Sequence, residues 1–203
     1  MKSPIIKIIE NGLKLWITSR CSSISSIQLS IEELKHNFLA TKVSNVKITA
    51  VDVDLNNILF KYINLTSQTI EVKLDLIQRK LTIDRNFNIY GDIKMDSQGL
   101  QSLLTNPKWH LLSSNIVNEL VGKVSFVSIN INNHIIELET ADPENSFKDI
   151  NHCQVFSDKG KLYITSKAKS KVFEIPMEES IYIKESNLSN GLLTIKGYAE
   201  VKQ

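Results

Sequence analysis

The chain has 203 residues, of which 42% are hydrophobic and 23% charged. That is enough for one sizeable core and ordinary for a folded domain. A net charge of +2 is too slight to argue for nucleic acid, and no stretch approaches the roughly 20 apolar residues of a membrane-crossing helix.

Seven glycines and four prolines leave little room for long linkers, so a single domain over 1–203 is expected. The first element is a helix from Pro4 to Arg20, with Ser3 as its N-cap and Pro4 at the favoured first position. A period of 3.6 places Ile5, Ile6, Ile9, Leu13, Trp16 and Ile17 on one face. Lys7, Glu10 and Lys14 interrupt any signal-peptide core, so no export is expected.

Strands follow. Ile27, Leu29 and Ile31 alternate with polar residues, and Lys35 to Lys42 is expected to be a connection. Val46, Ile48 and Ala50 share one face, then Val51, Val53 and Leu55 take over. A slip of one residue flips every later side chain, and a β-bulge is expected to absorb it. A second slip follows Phe60. Asn56-Asn57 marks a turn, and alternation continues through Leu74. Further strands are expected over Leu81–Lys94. Asp96 is a good N-cap for a helix carrying Leu100, Leu103 and Leu104. Asn106-Pro107 breaks that helix, and a second stretch from about Trp109 to Val121 carries Leu112, Ile116 and Leu120. The rest reads as strands, with turns at Asn132-Asn133, Asp158-Lys159-Gly160 and Ser189-Asn190-Gly191, and a polar loop from Asp142 to Asn151.

Catalytic patterns are missing from this sequence. The four histidines, His36, His110, His134 and His152, have no metal-ligand spacing. There is no nucleophile elbow and no phosphate-binding glycine loop. Asp52 and Asp54 share a strand face and read as solvated residues. Cys21 and Cys153 read as free thiols in a reducing compartment. Lys167, Lys169 and Lys171 in SKAKSK form a row suited either to anionic headgroups or to protecting a sheet edge. The wide apolar side of so many amphipathic strands, with two helical regions to cover it, leaves either a filled core or an apolar groove.

Several stretches carry a resemblance. SPIIKIIENGLKLWI, KVSNVKITAVDVDLNNILFKYINLTSQTIEVKL, DLIQRKL and DIKMDSQGLQSLLTNP resemble the opening helix, strand succession, turn and helix approach of the LmeA-like phospholipid-binding family. The resemblance implies a fold similar to tubular lipid-binding proteins: α+β, with a strongly curved antiparallel sheet wrapped around a long N-terminal helix and a second, broken helix mid-chain. It implies non-enzymatic binding or transfer of a phospholipid or similar amphiphile, with no cofactor and no metal. Ile9, Leu13, Trp16, Ile48, Phe60, Leu100, Leu104, Leu112 and Ile116 are the expected apolar contacts, with Lys167 and Lys169 at the headgroup. The expected location is cytoplasmic, with peripheral contact at a membrane surface. Nucleic acid is not expected as a partner, and no protein partner is indicated. The competing expectation is a structural or adaptor domain with a filled core that acts through protein contacts.

Overall fold

The computed structural model describes residues 4–37, 40–68, 70–75, 80–83, 86–122, 124–142, 148–166 and 171–202. Among these are three helices and two antiparallel sheets, an α+β arrangement. The larger sheet has eight strands: β1 (Ser23–Asn37), β2 (Ala40–Leu55), β3 (Ile58–Ser67), β4 (Ile70–Asp75), β5 (Lys80–Ile83), β6 (Phe87–Met95), β12 (Ile181–Ser189) and β13 (Leu192–Val201). The smaller has five: β7 (Ser125–Asn132), β8 (Ile135–Ala141), β9 (Lys148–Asp158), β10 (Lys161–Ser166) and β11 (Lys171–Glu174). Helix α1 is Pro4–Thr18, α2 is Ser97–Thr105 and α3 is His110–Leu120.

Register explains why the sequence makes two unlike faces of the larger sheet. Three neighbouring rungs run across β1, β2, β3, β6 and β13. They read Ile27–Ala50–Ile63–Ile93–Ile195, then Leu29–Ile48–Leu65–Gly91–Gly197, then Ile31–Val46–Ser67–Ile89–Ala199. Because successive side chains must point to opposite faces, rungs one residue out of phase make the reverse face. Those rungs hold Gln28, Thr49, Asn64, Asp92 and Lys196 on one line and Ser30, Lys47, Thr66, Tyr90 and Tyr198 on another. The reverse face is therefore polar and can stand in water, whereas the first face must be covered.

Three packed clusters cover it in part. Ile6 of α1 is buried with Ile31 and Val43, and Ile9, Leu13, Leu29 and Val46 pack around them. Ile17 and Cys21 close over Ile27, Ala50 and Val53. The main cluster lies between the sheets, where Leu100 and Leu104 of α2 and Ile116, Val117 and Leu120 of α3 meet Met95, Leu193, Ile131, Ile136 and Leu138. Phe60 touches both this cluster and the one beneath Ile17. Burial pushes the Cys153 thiol up to about 11, so its reactive thiolate is scarce near neutrality.

Several expectations need correction. Of the expected connection Lys35 to Lys42, Lys35–Asn37 are strand paired with Ala40–Lys42, and Phe38 and Leu39 lie outside the described residues. The ladder continues here without apolar alternation, because backbone pairing does not require it. Lys148 to Asn151 are strand rather than loop, paired to Leu138–Ala141. The expected bulge at Ala50-Val51 also takes another form. Register does not shift between β1 and β2 or between β2 and β3. Instead all three strands slip phase at one rung: Ile27, Ala50 and Ile63 are followed, three residues along, by Ile24, Val53 and Phe60 in the same cluster. At the slip Asp52 adopts φ 46°, in the left-handed region. The break at Asn106-Pro107, the Asp96 cap and the turns at Asn56-Asn57 and Asn190-Gly191 are as expected, while the turn expected at Asn132-Asn133 falls one residue on, at Asn133-His134. Asp96 accepts from Gly99 N at 2.9 Å, and Asn56 and Asn57 have φ of 53° and 63°, as a tight hairpin turn requires. Ser3 lies outside the described residues.

Two substitutions check these points. Asp tolerates the left-handed region, whereas a β-branched residue does not. Asp52→Val should therefore lower stability by about 1–2 kcal/mol, and Asp52→Gly should lose less; urea unfolding of both variants measures the difference. Gly99 opens α2 where a Cβ would lie 2.4 Å from Leu59 O. Glycine to alanine within a helix normally stabilises by about 0.5–1 kcal/mol. Here Gly99→Ala should destabilise instead, visible as a lower midpoint in thermal unfolding.

Candidate functional site: a half-open apolar trough

Among the described residues, the covers leave one part of the apolar face outside the packed clusters. Strands β6 and β13 meet α2 and the main cluster at their Met95 and Leu193 ends. Farther along, Leu65, Gly91, Ile89, Gly197 and Ala199 are only half-buried and belong to none of the three clusters. They form a contiguous floor, because Leu65 pairs with Gly91, Gly91 with Gly197, and Ile89 with Ala199. Leu65 leans toward Gly91, its Cδ2 3.4 Å from where a Cβ would stand.

Two elements wall this floor. On one side is α1. Glu10 Oε1 accepts from Ile31 N at 2.8 Å, an amide that points away from β2 toward the outer edge of β1. From 3.6 residues per turn, Glu10 and Trp16 stand about 60° to either side of the line by which Ile6, Ile9, Leu13 and Ile17 touch the sheet. Since the Glu10 flank lies at the outer edge, the opposite flank, bearing Ile9, Gly12 and Trp16, is turned toward the β2 side of the helix. A Cβ built on Gly12 meets nothing within 4 Å, so this flank is notched between Ile9 and Trp16. On the other side β12 folds inward. Its register shifts between Ile183 and Glu185, and a Cβ on Gly197 would lie 2.2 Å from Tyr182 O. Glycine is needed there for the backbone to approach so closely.

The cavities bound what the trough is. A polar cleft of about 290 Å³, lined by Gln68, Asn86, Phe87, Asn88 and Glu200, lies at the outer end of the floor. Another of about 170 Å³ lies at the phase slip, among Asp52, Asp54, Phe60, Lys61 and Asp96. Both fall below the roughly 300–1,000 Å³ of enclosed ligand pockets, and neither is lined by Leu65, Ile89, Gly91, Gly197 or Ala199. The charges at the slip are mutually engaged. Lys61 Nζ is 3.2 Å from Asp52 and 3.5 Å from Asp96. The hydrogen bond to Asp52, with the charge of Asp96, pushes the lysine's pKa up. Asp54 Oδ1 accepts from Asn57 N at 3.0 Å. These contacts latch the hairpin end. Among the described residues, no three His, Cys, Asp or Glu side chains converge as metal ligands.

The sequence-predicted residues divide. Ile9, Leu13 and Trp16 stand on α1, and Ile48 lies in the same rung as Leu65. Leu100, Leu104 and Ile116 are buried in the main cluster, with Leu112 packed against it. They are away from the floor and serve as core. Phe60 sits where two clusters meet. Lys167 and Lys169 lie outside the described residues. Leu65, Ile89, Ala199 and Gly12 were not singled out from sequence; their meeting depends on cross-strand register, which no local pattern displays.

No known protein family, no curated protein and no solved structure matches this chain. No described helix is long and apolar enough to cross a membrane.

Proposed function

We propose that the protein binds the apolar chain of a phospholipid or similar amphiphile in the trough between α1 and β12, without catalysis. One observation carries this reading: among the described residues, α1 and α2 pack on the apolar face of the larger sheet at its two sides, while Leu65, Ile89 and Ala199 stay half-buried and outside every cluster. Half-exposed apolar surface in a walled channel is favourable to cover, at about 0.8 kcal/mol per methylene buried. An acyl chain lying along the strands, with about ten methylenes half-covered, would gain about 4 kcal/mol. That suits reversible carriage. The finer expectation, a curved sheet closing round α1 as in tubular lipid-binding proteins, belongs to this proposal, as does kinship with the LmeA-like family.

The notch at Gly12 supplies the test. Gly12→Leu fills the gap between Ile9 and Trp16 and should raise helix stability by about 0.8–1 kcal/mol, so lost binding cannot be blamed on unfolding. Native purification, solvent extraction and mass spectrometry should find stoichiometric lipid with the wild type and a severalfold loss in Gly12→Leu. A lipid-free wild type, or undiminished lipid in the variant, would overturn the reading.

The small cleft volumes favour a second reading, an adaptor domain with a filled core. It differs in outcome: no lipid in either extract, and a protein partner retained by both forms.

A further inference from the structure

Both tryptophans of the chain lie near one end of the molecule. That end is the β2–β3 turn. Ser22 N, just past α1, donates to Asp54 O at 2.8 Å, which ties the Trp16–Arg20 end of the helix to the hairpin. Asn106 Nδ2 donates to Asn56 O at 2.9 Å, and Trp109 N donates to Asn106 O at 2.8 Å, which ties the α2–α3 corner to the same turn. Four large apolar side chains are left outside at these two places: Leu15 is 71% exposed, Trp16 59%, Trp109 42% and Leu111 66%. None of them belongs to a packed cluster.

The charges beside them are basic where they are uncommitted. Arg20 stands 5.5 Å from the centre of the Trp16 ring, and Lys108 is exposed next to Trp109. The acids of the turn are engaged elsewhere, Asp52 with Lys61 and Asp54 with Asn57 N. Exposed indoles and leucines with cations at their margin match the boundary between lipid headgroups and acyl chains, where tryptophan is enriched and each basic residue adds attraction to anionic lipid. A water-facing end has no such need for two tryptophans.

We infer that this end, with Trp16 and Leu15 from α1 and Trp109 and Leu111 from the helical corner, docks on the surface of a bilayer carrying anionic lipids. The docking goes beyond the trough reading and does not depend on it. The Ile face of α1 is buried on the sheet, so the helix does not lie flat in the interface. It presents its C-terminal end, and α1 stays folded onto β1 throughout.

Because the two tryptophans are the only ones, intrinsic fluorescence reports the contact directly. Vesicles of phosphatidylcholine with phosphatidylglycerol should shift the emission to the blue and sediment the protein. Trp109→Ser with Leu111→Ser should weaken partitioning about tenfold, while thermal unfolding stays near wild type because both side chains are exposed. Arg20→Gln with Lys108→Gln should cost about fivefold per charge on anionic vesicles at low salt and little on pure phosphatidylcholine. Absence of both the shift and sedimentation overturns the inference, as does undiminished partitioning of the Trp109/Leu111 variant. Self-association that depends on these residues, without vesicle binding, overturns it too by assigning the patch to a second copy. Gly12→Leu should still dock; docking without lipid in the extract would sink the trough alone, and lipid in the extract without docking would sink the docking alone.

Discussion

The structure depends on one constraint: a sheet face five strands wide and, apart from Ser67, apolar over three alternate rungs has to be kept from water. Strand pairing alone does not do this. It satisfies the backbone but leaves Ile27, Ala50, Ile63, Ile93 and Ile195, and the two rungs beside them, with one bare side. Burial of that side brings α1 and α2 onto the sheet. Helix α1 lies over β1 and β2, while α2 and the smaller sheet close over the Met95 and Leu193 ends. The two covers approach from opposite sides, and Phe60 touches both. Among the described residues neither includes Leu65, Ile89 or Ala199, although the smaller sheet reaches β12 as far as the bridge of Gly160 to Ile183, opposite Gly197.

How much of this was legible depended on how local the cause was. The Asp96 cap needs only a side chain within reach of an amide three residues on, and it forms as the sequence indicates. Turns at Asn56-Asn57 and Asn190-Gly191 follow from residues that tolerate positive φ. The division of α2 from α3 follows from Asn106-Pro107. The extent of β1 and β2 was not legible, because Lys35–Asn37 and Ala40–Lys42 lack alternation and are strand only through their pairing. The site was legible in half. Periodicity put Ile9, Leu13 and Trp16 on one face of α1, yet Trp16 stands at its flank, where it is 59% exposed. Leu100, Leu104 and Ile116 carry the same signal as any ligand contact, and they proved to be core. Apolar spacing marks what is hidden from water without saying what hides it.

The phase slip shows how a sequence irregularity becomes a tertiary instruction. A slip in β2 alone would send Val53 to one face and its neighbours Ile24 and Phe60 to the other, leaving apolar side chains on the polar face. An inserted residue would shift the register and break the apolar rungs that run on into β6 and β13. Instead β1, β2 and β3 slip together at the level of Ser25, Asp52 and Lys61, which both ladders skip, so register is kept and Ile24, Val53 and Phe60 still share a common cluster. The requirement on the backbone falls on Asp52, which adopts φ 46°, and its carboxylate is held by Lys61. Asp96, the cap of α2, also lies within 3.5 Å of that lysine. The same charges therefore fix the slip and the start of the covering helix. This places α2 against the hairpin end of the sheet, where Ser102 Oγ also accepts from Leu59 N at 2.9 Å. With α2 committed there, the rungs of Leu65 and Ile89 lie beyond its reach. The open floor follows from where the slip sits in the strands, and filling Gly12 would change the wall without touching that cause.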